Sequence, residues 1–453
     1  MTAWTVIGPE RRPRSSRIGP LAEVRRALSA FQRPRSYTAR TFGTETLHRL
    51  LTNFRKRAYT YEMESLERHE LQHGDGRRLF LYGRRGPDAH LPAHSAAGAW
   101  PALHLRHDAL TDRWVAISPA RNTRPQSAPV GNRAAPACPL CVGGPELPFP
   151  YEAAVFENRF PTLFADPPEP PAMDGVTAPS RGRCEVVLYT PTHTGSLATL
   201  SALELARVVA IWADRSEALW AEREHRVVLV FENRGEDVGA TLSHPHGQIY
   251  ALDHLPSQIR DRVQVLHRHR ERHDTCLSCE VVARDDGSVA RTVASNDSFT
   301  VGVPFAPDWP FELHVRARRH GARRLTDLTD SERRDLALAL RDVVRRYDRL
   351  YEAPIAYLMA CQQAPTEIDG QPVDDWHLSF EFLPPNRSAH RLKVRATVET
   401  AAGLFINDTL PEDSAAQLAA VPTGAAGADH APIPDVEVVH ATTPADVGTT
   451  PTI

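Results

Sequence analysis

The chain has 453 residues, 42% of them hydrophobic and 24% charged, with a formal net charge of −3. That is globular composition, long enough for two or three domains, and it excludes a disordered polymer, a collagen and a small disulfide-stapled scaffold. The apolar runs, such as residues 227–231, fall far short of the roughly 20 residues of a membrane span. The start has no basic stretch leading into an apolar core, so a cytoplasmic location is expected, with neither membrane nor nucleic acid as partner.

Residues 1–97 carry 18 Arg plus Lys against 9 Asp plus Glu. Nearly every cation is arginine: Lys56 and Lys393 are the lysines of the whole chain. Helical patterns are expected at 20–31 and 45–57, and a short strand at Arg78–Tyr82 between turns. This stretch is read as a basic N-terminal extension. Residues 421–453 are rich in Ala, Thr, Pro and Gly without periodicity and are read as a disordered tail.

Between these ends the sequence repeats. Cys138-x-x-Cys141, then Glu185 and His193 eight residues later, then a helical stretch at 202–223, lead to His244-Pro245-His246-Gly247-Gln248. Cys276-x-x-Cys279, then Glu312 and His320 eight residues later, then a helical stretch at 330–351, lead to His377-Leu378-Ser379. The expected fold is α+β: two half-domains related by duplication, 98–258 and 259–420, each a mostly antiparallel sheet with a long helix.

Paired C-x-x-C motifs in a cytoplasmic chain read as metal sites before disulfides. Cys138, Cys141, His193 and His244 form one candidate zinc set, and Cys276, Cys279, His320 and His377 another. Four protein ligands leave no open position, so each zinc would be structural. His246 lies two residues after His244, hence on the same face of an extended strand, and Pro245 stiffens the link. A ring held in this way is a candidate nucleophile toward phosphorus, since a neutral imidazole is available near neutral pH. Gly247 would let a phosphate approach, and Gln248 would donate to a phosphoryl oxygen.

Several blocks resemble the galactose-1-phosphate uridylyltransferase family of the histidine-triad superfamily, over roughly residues 104–420. They are Asp112-Arg113-Trp114-Val115-Ala116-Ile117-Ser118-Pro119, Cys138-x-x-Cys141, Val155-Phe156-Glu157-Asn158-Arg159-Phe160-Pro161, and Phe231-Glu232-Asn233-x-Gly235 running to His244-Pro245-His246-Gly247-Gln248. Pro384-Pro385-Asn386-Arg387-Ser388 and Phe405-Ile406-Asn407-Asp408-Thr409-Leu410-Pro411 follow in order. The resemblance implies histidine-triad-like half-domains and a double displacement: His246 takes UMP from UDP-glucose, and galactose 1-phosphate then accepts it. It implies Gln248 as phosphoryl stabiliser, and contacts to the nucleotide from Arg121, Arg124, Asn158, Arg159, Asn233, Gly239 and Thr241. Lys393 and Glu399 are expected at the sugar phosphate and sugar. A homodimer with shared active sites is the family expectation.

Departures accompany the resemblance. Ser379 stands where the repeat would place a second nucleophilic histidine, so only the first half should be catalytic. Residues 361–365 and 377–381 do not supply the Glu and three His that hold a second metal in some family members, and the pattern resembles two-zinc relatives, ADP-glucose phosphorylases among them. Residues 393–399 lack the aromatic and glycine of the common form, which leaves the sugar open. The alternatives are therefore another nucleotide-sugar transferase or phosphorylase, or a binding protein that works through its arginine-rich start.

Overall fold

Two long helices form where the sequence supplies the same start signal twice. Ser201 and Thr329 cap them, and Glu204 and Glu332, three residues on, bond back to the cap backbone. Each box satisfies N–H groups that a helix start otherwise leaves unpaired. The helices run Ala202–Ala221 and Asp330–Arg349, each ending two residues short of the expected stretch. Leu205, Val209 and Trp212 of the first and Leu336, Leu340 and Val344 of the second face inward.

The computed structural model describes residues 64–83, 103–119, 138–222, 225–423 and 433–441. The expected helices at 20–31 and 45–57, and Arg121 and Arg124, lie outside the described residues. The strands are β1 (Glu64–Gln72), β2 (Arg78–Tyr82), β3 (His104–Asp108), β4 (Arg113–Ile117), β5 (Ala153–Glu157), β6 (Thr177–Pro179), β7 (Gly182–Leu188), β8 (Val227–Arg234) and β9 (His246–Leu252). There follow β10 (Thr292–Ser295), β11 (Phe299–Gly302), β12 (Leu313–Ala317), β13 (Tyr357–Gln362), β14 (Ser379–Leu383), β15 (Asn386–Ser388), β16 (Arg391–Leu392) and β17 (Val436–His440).

Twelve of them make one sheet, in the order β10-β11-β12-β14-β13-β8-β9-β7-β5-β2-β1-β17. The two halves are thus not separate sheets. They join where β8 and β13 run antiparallel, from Val230↔Cys361 to Arg234↔Tyr357. Outward from that seam the order repeats, β13-β14-β12-β11 on one side and β8-β9-β7-β5 on the other. The strands β9 and β14 begin at His246 and Ser379, the two positions the repeat equates.

The same register corrects one part of the repeat. Glu185 pairs with Ile249, and Leu313 pairs with Phe382. With His246 and Ser379 aligned, Leu313 and not Glu312 is the counterpart of Glu185. A shift of one residue turns a side chain to the other face of a sheet. Glu185 is accordingly buried against Arg215 of the first helix at 2.7 Å, while Glu312 lies before β12 and accepts from the backbone of Asp308 and Trp309 at 2.8 and 3.0 Å.

Both helices cover one face of the sheet. Val187, Val230, Ile249, Val315 and Phe380 are fully enclosed there, each contributing ~1.5–3 kcal/mol on burial. On the other face of the first half a smaller cluster joins Leu79 and Leu81 of β2 to Leu140, Phe156, Val186 and Leu188.

The chain ends depart from expectation. The strand at Arg78–Tyr82 forms as predicted, but it pairs with β5 as part of the main sheet. The tail is not wholly unstructured, because β17 adds in parallel to β1, from Glu64↔Val436 to Arg68↔His440. Its alternating valines have β propensity, and the edge of β1 supplies the unpaired backbone groups.

Candidate active site

Strand alternation decides what faces the sheet's open side. Leu188 of β7 lies beside His246 of β9, Val186 beside Gln248, and Phe231 of β8 beside Gln248. These side chains share one face, while Val187, Val230 and Ile249 point into the helix-covered core. On the open face is a cavity of about 590 Å³. Seven of the residues named from the sequence line it: Asn158, Arg159, Asn233, Gly239, Thr241, His246 and Gln248. The loop that carries Gly239 and Thr241 turns at Gly239, whose φ of 79° is left-handed and suits glycine.

Two cages of sulfur and nitrogen flank the strands. The donor atoms of Cys138, Cys141, His193 and His244 lie within 4.8 Å of one another, and so do those of Cys276, Cys279, His320 and His377. A tetrahedral zinc with Zn–S about 2.3 Å and Zn–N about 2.0 Å puts sulfur and nitrogen ~3.5 Å apart. Cys141 Sγ is 3.4 Å from His193 Nδ1 and 3.7 Å from His244 Nδ1, and Cys279 Sγ is 3.5 Å from His320 Nδ1 and 3.3 Å from His377 Nε2. The outer nitrogens agree with this use. His244 Nε2–H donates to the Thr190 carbonyl and His377 Nδ1–H to the Ala317 carbonyl, each at 2.9 Å, leaving the other nitrogen as a lone pair in the cage. Burial pushes the Cys276 thiol up to about 12, so a metal ion binding there would have to displace its proton, since the thiolate is the ligand. Both sets fit a metal ion.

The first cage orients the ring beyond it. His246 Nδ1 lies 2.7 Å from the carbonyl oxygen of His244. A carbonyl only accepts, so Nδ1 carries the proton and Nε2 holds the lone pair. Burial lowers the His246 pKa, which keeps the ring neutral and nucleophilic.

One expectation is corrected. Gly247 points to the core, not to a ligand: a Cβ there would lie 2.2 Å from the Tyr189 hydroxyl. That hydroxyl donates to Glu232 at 3.2 Å, and Tyr357 donates to the other carboxylate oxygen at 3.1 Å. Within the Phe231-Glu232-Asn233 motif, Phe231 and Asn233 line the cavity while burial raises the Glu232 carboxyl to about 7. Lys393 and Glu399 do not line this cavity. They pair with each other at 2.8 Å, and Lys393 also donates to the carbonyls of Asp308 and Ile406 at 2.6 and 2.5 Å, which engages all three of its protons.

The sequence reading quoted Phe156, Phe160 and Phe231 without giving these apolar walls a role, and it missed Tyr250 and the acidic Glu146. Phe231 and Tyr250 meet edge to face at 5.0 Å, a surface suited to a planar base. The signal for Tyr250 was available, since it follows Gln248 by two on the same strand face. On the equivalent face of the second half, His314 contacts Glu312 at 2.7 Å and Arg316 at 2.6 Å, and Glu381 accepts from Arg262 and Gln362 at 3.1 Å each. Polar and charged side chains bonded to one another occupy this face.

A half-buried imidazole lining a cavity, with an amide two residues on and a glycine-turned loop on the same cavity, marks a group-transfer enzyme on a duplicated α+β scaffold. Comparison with known proteins narrows the class. Residues 98–256 match the profile of the galactose-1-phosphate uridyl transferase N-terminal domain and residues 262–423 that of the C-terminal domain. The galactose-1-phosphate uridylyltransferase of Thermotoga maritima is 37% identical over 322 residues, covering 70% of this chain and 98% of that protein. A solved uridylyltransferase is 33% identical with a TM-score of 0.62, over 70% of this chain and 97% of that one. An Arabidopsis thaliana ADP-glucose phosphorylase with bound ADP-glucose shares the fold at 22% identity and a TM-score of 0.54, over 71% of this chain and 99% of that one. The chain belongs to the galactose-1-phosphate uridylyltransferase family.

Proposed function

We propose that the protein is a hexose-1-phosphate uridylyltransferase working by double displacement. His246 Nε2 attacks the α-phosphorus of UDP-glucose; the N–P bond forms as the bond to glucose 1-phosphate breaks. A phosphate oxygen of galactose 1-phosphate then attacks the same phosphorus, the N–P bond breaks, and UDP-galactose leaves. Splitting one displacement into two lowers each barrier. Gln248, on the same face of β9, donates its amide N–H to the phosphoryl oxygens as charge shifts. Asn158, Arg159, Asn233, Gly239 and Thr241, with Arg121 and Arg124, hold the nucleotide. The observation that carries this reading is the His246 ring, fixed through Nδ1 with Nε2 left free beside the cavity.

Zinc is proposed for both cages, where it would fix the bend at His244 that leads into β9 and, in the second half, the start of the helix Leu277–Asp286. A cytoplasmic homodimer is proposed as well. Leu392, Val394, Leu404, Ile406 and Leu410 are exposed around the Lys393–Glu399 pair, an apolar surface of the kind a partner covers. The pair would then shape the segment presented to the partner's sugar site and not contact sugar in its own chain.

The test is release of hexose 1-phosphate from UDP-glucose and from ADP-glucose, offered separately and then with galactose 1-phosphate. Exchange with UDP-glucose supports the reading. Release from ADP-glucose alone would replace it with the phosphorylase reading.

A further inference from the structure

The β1–β2 hairpin lies outside the residues that match the family profiles, yet it packs behind the cavity wall. We propose that this hairpin is part of the nucleotide site and that Arg77 is a positioning residue for Arg159. The proposal rests on the uridylyltransferase reading for its substrate and deepens it.

The register places the two residues together. Leu79 of β2 pairs with Phe156 of β5. Carried on by two residues, that register sets Arg77 level with Asn158, which lines the cavity. Arg77 Nη1 donates to the carbonyl oxygen of Glu157 at 2.9 Å and to Glu146 Oε2 at 2.8 Å, while its Nε donates to Asp75 at 2.8 Å. One guanidinium therefore ties the hairpin, the end of β5 and the loop after Cys141. Leu79 and Leu81 pack against Leu140, Phe156 and Val186, which form the cavity wall.

The other oxygen of Glu146 faces Arg159 Nη1 at 3.8 Å. Two arginines thus share one buried carboxylate, and Arg77 holds the closer, hydrogen-bonded place. That arrangement leaves Arg159 loosely held and available to an anionic ligand. Without the Arg77 charge, Glu146 would draw Arg159 onto itself, and a nucleotide phosphate would have to compete with a carboxylate for the same guanidinium. The hairpin supplies the charge that keeps the site's own acid from occupying the site's own base.

The test uses the full chain. UDP binding is measured by titration calorimetry, and kcat and KM are measured with UDP-glucose and galactose 1-phosphate. Arg77→Met should weaken UDP and raise the KM for UDP-glucose about tenfold, with kcat within about twofold and the KM for galactose 1-phosphate unchanged. Arg77→Lys should fall between. Adding Glu146→Gln to Arg77→Met should recover most of the loss, because it removes the competing charge; a purely structural role for Arg77 would not be rescued this way. Wild-type UDP affinity in Arg77→Met, or a deeper loss in the double variant, would overturn the proposal. If Arg77→Met fails to fold, as a thermal melt would show, Arg77→Lys with and without Glu146→Gln decides by the same comparison. Wild-type enzyme that binds UDP but turns over no UDP-glucose would sink the functional reading alone, and calorimetry would still judge Arg77.

Discussion

Replacing Gly247 by alanine probes the joint between the catalytic strand and the core. The added Cβ would stand 2.2 Å from the Tyr189 hydroxyl and 3.1 Å from the Phe231 carbonyl oxygen. Relief requires the hydroxyl to retreat by about 1 Å. Tyr189 has little room to do so, being fully buried with its ring edge-on to Trp212 at 5.8 Å. Overpacking of this kind costs ~1–3 kcal/mol. Loss of the bond from Tyr189 to Glu232 adds ~1 kcal/mol. The variant should therefore be ~2–4 kcal/mol less stable in urea unfolding, and its kcat should fall at least about tenfold as His246 and Gln248 shift with β9. The double variant Gly247→Ala with Tyr189→Phe removes the clashing oxygen, leaving the ring carbon Cζ at 3.1 Å as the nearest Tyr189 atom. It should be more stable than the single glycine variant, with a coupling of ~1–2 kcal/mol between the sites. A Gly247→Ala protein within ~0.5 kcal/mol of wild type, or strict additivity in the double, would refute the argument.

Metal analysis should find about two zinc ions per chain, one for each closed set of four ligands; His377→Ala should lose one and melt lower, and a wild-type value of one or none would remove the second site. His225 should stabilise the fold over a defined pH window, since its ring meets Asp253 at 2.6 Å and Glu222 at 3.1 Å. Burial opposes both charges, but hydrogen bonds between them prevail: His225 is raised above its ordinary 6.5, and Glu222, also bonded by Arg183, is lowered to about 2. The raised histidine contributes fully below 6.5 and less as pH climbs through its folded value, whereas the lowered carboxylate contributes fully above 4.5 and less as pH falls toward 2. The stability lost in His225→Ala should thus be greatest between about pH 4.5 and 6.5, and a loss that is flat from pH 3 to 9 would contradict this.

What the sequence disclosed was mostly local. The helical stretches were placed at their observed starts, 202 and 330, and each Cys-x-x-Cys supplied half of a four-ligand set, because these patterns act over a few turns or one loop. Pairings between distant segments were not legible. The Glu185/Glu312 match looked like part of the repeat but is out of register by one residue, which only the strand pairing reveals. The parallel pairing of β17 with β1 joins residues near opposite ends of the chain, and no local pattern announces it. The facing of Gly247 is not legible locally, because its neighbour, Tyr189, comes from the end of the adjacent strand β7, just past Leu188. Lys393 was noticed as an unusual residue, yet its engagement with Glu399, Asp308 and Ile406 depends on how three loops converge.

The claim on which the account stands is that His246 carries the nucleotide between two sugars. Incubation of the purified protein with UDP-glucose labelled at the α-phosphate, without acceptor, measures this most directly. Acid-labile label should remain on the wild-type chain, map to His246, and leave as UDP-galactose when galactose 1-phosphate is added; His246→Ala should take up none. Equal labelling of that variant, or an unlabelled wild-type enzyme that still exchanges sugars, would contradict the mechanism.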